Sequence, residues 1–493
     1  MPAAEGISIT MITRMKSKPA LSRRWLGIMA ILLAPLGLVA QQPLGRMNPD
    51  PRTQLLQKPL PPTISGTLTF AAVGDLLGPG RPVTPLQDPD FASVIHILRS
   101  ADVAFGNNEG SIFDLRTFKG YPAAQNGGGN PLADAAVARD LKVMGFDIVS
   151  KANNHATDWG QEGLDETNRV LDEAGILHVG SGRNRPEARA AVYFETPHGR
   201  IAMVATASTF NPASVAGLAQ GETPGRPGIS VLRTNRINLV TAEEMAALRA
   251  MAASRGTRVA PDAKQLNLFG QTYRLADKPG LTYEMNPYDQ YEILKAIRGA
   301  KQTSDLAIFT IHAHETASGR ADDPAPADFL RSLYHNAIDA GADIVVAHGQ
   351  HVLRGIELYK GRPIFYGLAS FFFHLELDRA PPLRETFESM NLDPEPLTYL
   401  EYLKTRFNPP REWFESVIAV TEFEGDHLKE MRLYPLDLDP ARKSPKRYIG
   451  IPTLASPQVA KIILERIRSM SAQFGTEIRI ENNIGIITPP NSQ

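Results

Sequence analysis

Five times along this chain, a short run of mostly apolar, β-branched or aromatic residues stops on a residue that can bind a cation. Thr67–Val73 runs into Gly74-Asp75, Ala101–Gly106 into Asn107-Asn108-Glu109, and Phe146–Ser150 into Ala152-Asn153-Asn154-His155. Asp305–His312 and Gly341–His348 each end in histidine, with His314 and Glu315 just past the first and His351 just past the second. Runs of this length and composition are strands. Between them, Phe91–Ser100, Leu132–Met144, Gly163–Ala174 and Asp328–Ala340 carry the apolar spacing of helices, and Ile176–Val179 and Ile201–Ala205 read as further strands. Alternating strands and helices predict an α/β domain. In such sheets, loops at the carboxyl ends of the strands converge on one crevice, so all five endings are candidates for a single site.

The rhythm breaks at about residues 210–300, where Pro212, Pro224 and Arg226-Pro227-Gly228 precede a helical Ala242–Ser254 and a polar stretch, Tyr283–Gln290, expected as a loop. This segment reads as an insertion in a domain spanning 66–440. Ser416–Phe423 and Leu428–Tyr434 predict a hairpin turned at Gly425-Asp426. Residues 441–493 are expected to add a helix, Ser456–Phe474, and a strand, Glu477–Ile480, packed on the domain.

Upstream of the domain, Lys16, Lys18, Arg23 and Arg24 precede the apolar run Leu26–Val39, which closes on small residues at Ala40. That is the layout of a cleaved secretory signal over residues 1–40. An uncleaved anchor is the competing reading, but Pro35 and Gly37 interrupt a run shorter than the ~20 residues a spanning helix needs. Met11 and Met15 are both alternative starts. Residues 41–65, punctuated by prolines, read as a disordered linker, and Asn126–Asn130 as a glycine-rich loop. The expected location is periplasmic or extracellular.

Composition narrows the chemistry. The chain of 493 residues has no cysteine, which removes disulfides, thiolate zinc sites, cysteine nucleophiles and a lipoprotein anchor together. With 52 basic and 53 acidic side chains, no global field favours nucleic acid. Carboxylate, amide and imidazole remain, a donor set suited to Zn, Mn or Fe(II), one ion or two. Singly, each piece has a plainer explanation. Gly74-Asp75 alone reads as a turn, Glu109 as a loop carboxylate, and Asp158 as the cap of the following helix. Two histidine pairs at strand ends, among eleven histidines, are harder to explain that way. His312 and His314 lie two apart and share a face, whereas His348 and His351 need a turn at Gly349 to converge. His96, His178, His198, His335, His374 and His427 have no such company and are expected to be structural.

Four segments carry a family resemblance: Val73-Gly-Asp75, Asn107-Asn-Glu109, Lys151-Ala-Asn-Asn-His-Ala-Thr-Asp158 with Trp159-Gly160, and Ala347-His-Gly-Gln-His-Val-Leu-Arg-Gly-Ile-Glu-Leu-Tyr-Lys-Gly-Arg-Pro-Ile-Phe-Tyr366. With Phe474-Gly-Thr-Glu-Ile478 they fall in one order over about 66–485, and the chain resembles the CapA-like proteins of capsule and poly-γ-glutamate synthesis. That family looks like a branch of the calcineurin-like metallophosphoesterases, which implies a four-layer α/β/β/α sandwich. The resemblance implies Asp75, Glu109, Asn154, His312, His314, His348 and His351 as metal ligands, with Glu109 bridging and His155, beside Asn154, assisting the leaving group. The sequence departs from the pattern at Leu77, where the superfamily has histidine, and at Tyr366-Gly-Leu-Ala-Ser-Phe371, where the family's usual form is Tyr-Ser-Leu-Gly-Asn-Phe.

The function implied is metal-dependent hydrolysis of a cell-envelope polymer, poly-γ-glutamate or capsule polysaccharide, alongside a membrane synthesis complex. Leu77 motivates a rival, a non-catalytic scaffold or polymer-binding subunit. A periplasmic phosphoesterase is the third reading.

Overall fold

The computed structural model describes residues 64–78, 89–123, 130–320, 323–373, 410–438 and 450–490. The expected signal segment, nearly all of the linker and residues 126–129 of the glycine-rich loop lie outside these.

Two sheets form the body. The larger runs, from one edge, Arg479–Glu481, Ile484–Ile487, His427–Asp437, Glu415–Glu424, Thr67–Leu77, Val103–Asn107, Ile148–Ser150 and Leu177–Val179, with Ser370–Phe373 added beside the end of Thr67–Leu77. The smaller runs Ile356–Tyr359, Arg362–Phe365, Ile344–His348, Leu306–His312, Gly199–Ala207 and Val192–Thr196. Side chains alternate across each strand, and the burial follows that period. Phe70, Ala72, Val103 and Phe105 of the larger sheet meet Ile308, Ile344 and Val346 of the smaller in one apolar layer. Ala71, Val73 and Ala104 face the other way, under the helices Pro89–Arg99 and Ala136–Met144. Ala307, Phe309, Ile311, Val345 and Ala347 face outward under Pro287–Gln302 and Asp328–Asp339. Helices, sheet, sheet, helices: the chain is an α/β protein in four layers.

That alternation also aims the site. Leu306, Ile308, Thr310 and His312 continue one face, as do Ile344, Val346 and His348. In the parallel register His312 lies beside His348, so both imidazoles end up between the sheets at their carboxyl edge. Asp75 reaches the same place by another route. A register shift between Ala72 and Asp75 interrupts the strict alternation and puts Asp75 beside Asn107, on the face that Phe105 shares. Gly74 makes this possible, because a Cβ there would sit 1.7 Å from the Ala369 carbonyl that accepts the Asp75 N–H.

Some local expectations change. Leu132–Met144 is helical only from Ala136, since Leu132–Ala133 pairs with Ser111–Ile112 and the Asp134 carboxylate takes the Ala136 N–H. Tyr283–Gln290 is not a loop: it holds the end of the strand Gly280–Met285 and the first turn of Pro287–Gln302, capped by the Asn286 side chain. Asn-Pro is a helix-start signal that was there to be read. Within 210–300, Thr234–Val240, Gln265–Leu268, Gln271–Leu275 and Gly280–Met285 form a separate four-stranded sheet with the helix Ala242–Ser254. After the helix Pro457–Ala472 come two strands, not one, which extend the edge of the larger sheet. Among the described residues no helix is long and apolar enough to cross a membrane.

Candidate metal centre

At the shared carboxyl edge, three overlapping groups bring ligand atoms within 4.8 Å of one another: Asp75, His312 and His348; Glu109, His312 and His314; Asp75, Glu109 and His351. The structure thus gathers six of the seven expected ligands by geometry alone. Asn154, the seventh, presents a buried Oδ1 that no donor satisfies, and its neighbour His155 reaches within 4.0 Å of Glu109. Glu315 turns away, its carboxylate taking the Ser208 hydroxyl at 2.7 Å.

Hydrogen bonds anchored in the backbone fix the orientation of the polar groups. The His155 N–H donates to Asn153 Oδ1, so Asn153 Nδ2 donates to Asn107 Oδ1 at 3.1 Å. Asn107 Nδ2 therefore donates to Asp75 Oδ1 at 2.9 Å and faces His312 Nδ1 at 3.3 Å, which requires a lone pair on that nitrogen. On the other side, the Thr310 hydroxyl gives its hydrogen to the Val346 carbonyl and must accept from His348 Nε2 at 3.0 Å. The His348 proton is then on Nε2, and its Nδ1 lone pair lies 3.2 Å from His312 Nδ1 and 3.6 Å from Asp75 Oδ1. Lone pairs this close repel unless a cation sits among them.

Glu109 makes the same case more strongly. Neither carboxylate oxygen has a hydrogen-bond partner, although the residue is fully buried. Burial, followed by the Asp75 charge, pushes its carboxyl well above the usual range. Burial pushes His348 down to about 4 and His314 to about 3, so the imidazoles are neutral and ready to coordinate. For Asp75, burial acts upward but is outweighed by His351, whose Nδ1 is 3.2 Å away, and then by His348, leaving the carboxyl below its ordinary value. Bare acceptors, neutral imidazoles and no thiolate fit a divalent cation.

His351 gets there through the expected turn: Gly349 has φ +110°, and a Cβ on it would sit 2.8 Å from His312 Cε1. His155 is held by Asp158, whose Oδ2 is 2.6 Å from its Nδ1. Asp158 is therefore not the helix cap it was expected to be; Gly160–Ala174 starts without a side-chain cap. Leu77 packs into the outer apolar layer, in register with Phe373. Where the family's usual asparagine would be, Ser370 still supplies a polar group, its hydroxyl 3.1 Å from His351 Nδ1. Asn107, Asn153, Thr310 and Ser370 were not singled out from sequence. The doubled Asn107-Asn108 and Asn153-Asn154 were the only hint.

Lys151 is also fully buried, and burial pushes its ammonium down to about 7. Its Nζ reaches the carbonyls of Asn108 at 3.4 Å and Gly110 at 2.5 Å.

A protein of Sinorhizobium fredii, the uncharacterized protein y4sH, is 41% identical over 434 residues, covering 85% of this chain and 92% of that one. The capsule biosynthesis protein CapA of Bacillus anthracis is 27% identical over 312 residues, covering 62% of this chain and 60% of its own length. A crystal structure described as a novel phosphatase from Mycoplasma pneumoniae overlaps 76% of this chain and 94% of its own at 12% identity, with a TM-score of 0.35, too low to carry weight. The family model for the bacterial capsule synthesis protein PGA_cap matches residues 69–375, and the chain belongs to that family.

Proposed function

We propose that this protein is an exported, metal-dependent hydrolase acting on a cell-envelope polymer, in the capsule and poly-γ-glutamate metabolism of its family. The carrying observation is the set of buried acceptors with no donor, both oxygens of Glu109 and Oδ1 of Asn154, beside four converging histidines. Asp75, Glu109, Asn154, His312, His314, His348 and His351 would hold one or two ions of Mn, Zn or Fe. A bound divalent ion supplies Lewis-acid polarisation of the group to be cleaved. The protein's own part is positioning and proton transfer. Asp158 holds the proton of His155 on Nδ1 and leaves Nε2 facing Glu109, where it would assist the leaving group. Export rests on the basic-then-apolar arrangement of residues 1–40.

The test is elemental analysis of the purified protein beside an Asp75→Ala/His351→Ala double variant, with release of small fragments from poly-γ-glutamate and a panel of phosphoesters as the activity readout. About one or two ions per chain, absent from the variant, is the expected result. Wild-type protein without stoichiometric metal would sink the proposal, and cleavage of the phosphoesters alone would redirect it to a periplasmic phosphoesterase.

One observation favours a second reading. Leu77 spends its side chain on the outer apolar layer, so the ligand the superfamily places there is missing. A non-catalytic scaffold or polymer-binding subunit would tolerate that loss. His155→Ala separates the two: the hydrolase loses function in cells, while the scaffold keeps it.

A further inference from the structure

Glu109 has no side-chain hydrogen bond to hold it, yet it is the residue around which two of the three ligand groups are built. Something must fix its direction through the backbone. The residues on either side of it, Asn108 and Gly110, both turn their carbonyls to Lys151, whose Nζ bonds the two. Neither carbonyl depends on the lysine. Asn108 O also accepts from Asn153 Nδ2 at 2.9 Å, and Gly110 O from Asn108 Nδ2 at 3.3 Å. A buried ammonium is expensive, and here it is not required to satisfy any acceptor. Its distinctive property is the placement: one cation grips the chain immediately before and after a single candidate ligand.

We infer that Lys151 is a positioning residue, a clamp that fixes the Glu109 backbone so that the bare carboxylate is pre-organised toward the metal. The inference rests on Glu109 being a ligand, as proposed above. A clamp and a mere packing residue differ in sign. Removing a packing lysine lowers stability and leaves the affinity of the folded protein alone. Removing a clamp that is itself costly to bury leaves the metal-free fold as stable as before, or more so, and weakens the metal.

The experiment is calorimetric titration of manganese into wild-type, Lys151→Met and Lys151→Gln protein, with melting temperatures of the metal-free forms. The expected result is a manganese affinity about 10–100-fold weaker in Lys151→Met, a smaller loss in Lys151→Gln, which keeps one donor, and metal-free melting temperatures at or above wild type. Wild-type binding matched by Lys151→Met overturns the clamp alone. If neither variant folds, Lys151 is structural and the inference is equally overturned. Wild-type protein that binds no manganese or other divalent ion overturns the metal reading itself, and the clamp with it.

Discussion

The two sheets bring different chemistry to one crevice. The larger sheet contributes oxygen: Asp75, Glu109 and the Asn154 amide, with Glu109 raised by burial and then by the Asp75 charge. The smaller contributes nitrogen: His312, His314, His348 and His351, held neutral chiefly by burial where a shift is resolved. On the oxygen side Glu109 is buried with no hydrogen-bond partner, Lys151 being its near cation, and on the nitrogen side the Nδ1 lone pairs of His312 and His348 meet with no proton between them. Each half is poorly satisfied alone and repels itself, and both faults are cured by the same positive ion. The difference teaches that this edge of the fold is compatible with a bound cation and leaves buried polar groups poorly satisfied without one.

The largest effect should come from relieving that tension on the oxygen side. Glu109→Gln keeps the shape and removes the buried charge. Metal binding should be lost, while the metal-free protein gains about 1–3 kcal/mol in denaturant unfolding. A Glu109→Gln variant that is both metal-bound and less stable would mean the carboxylate has a structural partner after all. Next comes Leu77→His, which puts an imidazole where the resemblance to metallophosphoesterases implies one. Because Leu77 packs in the outer apolar layer, the new imidazole is expected to cost about 1–3 kcal/mol and to bring no additional ion. A rise in metal stoichiometry would show that this strand end can turn inward.

Much of this edge was legible in the sequence, because a strand that ends on a ligand writes both facts in adjacent letters. Ile308-Phe309-Thr310-Ile311-His312 and Ile344-Val345-Val346-Ala347-His348 give strand, face and ligand together. Asp75 was legible as a residue but not as a direction, since a bulge leaves no mark in the pattern of Ala71-Ala72-Val73-Gly74. The supporting amides were legible only as doubled asparagines, not as contacts. Asn107 and Asn153 act through contacts between segments 46 residues apart, and only the folded chain shows which amide faces which carboxylate. Asp158 misled for a physical reason: a carboxylate just before a helix suits the cap, and the nearby imidazole competes for it more strongly.

The halves should also respond to pH with opposite signs in the metal-free protein. His348 is held near 4 in the fold against an ordinary 6.5, so between these values the unfolded chain takes up a proton that the folded chain refuses. Stability therefore falls as pH drops from 6.5 toward 4, by at most about 1.4 kcal/mol per unit for this group. Glu109 is raised above an ordinary 4.5, so the folded form keeps a proton that the unfolded form releases, and its contribution is lost as pH rises above 4.5. Urea melts across this range should show the advantage of Glu109→Gln growing with pH and vanishing in acid, whereas a His348→Asn variant should flatten the acid limb. Parallel pH profiles for wild type and both variants would remove the electrostatic account of the contrast.

Ser370 offers the finest probe, because it belongs to one half and touches the other. Its strand pairs with the first strand at Asp75, while its hydroxyl meets His351 Nδ1, which also faces Asp75 Oδ2 at 3.2 Å. Ser370→Ala removes one of two contacts and leaves the carboxylate in place, so the imidazole keeps its position but loses part of its orientation. The expected cost is about 0.5–1.5 kcal/mol in stability, with a manganese affinity lower by less than about tenfold. Ser370→Asn, which restores the family's usual side chain, should recover the affinity if an oriented polar group at this seam is what His351 requires. If Ser370→Ala instead lowers affinity as far as Asp75→Ala does, the hydroxyl is itself a ligand, and the boundary between an oxygen side and a nitrogen side has to be redrawn through Ser370.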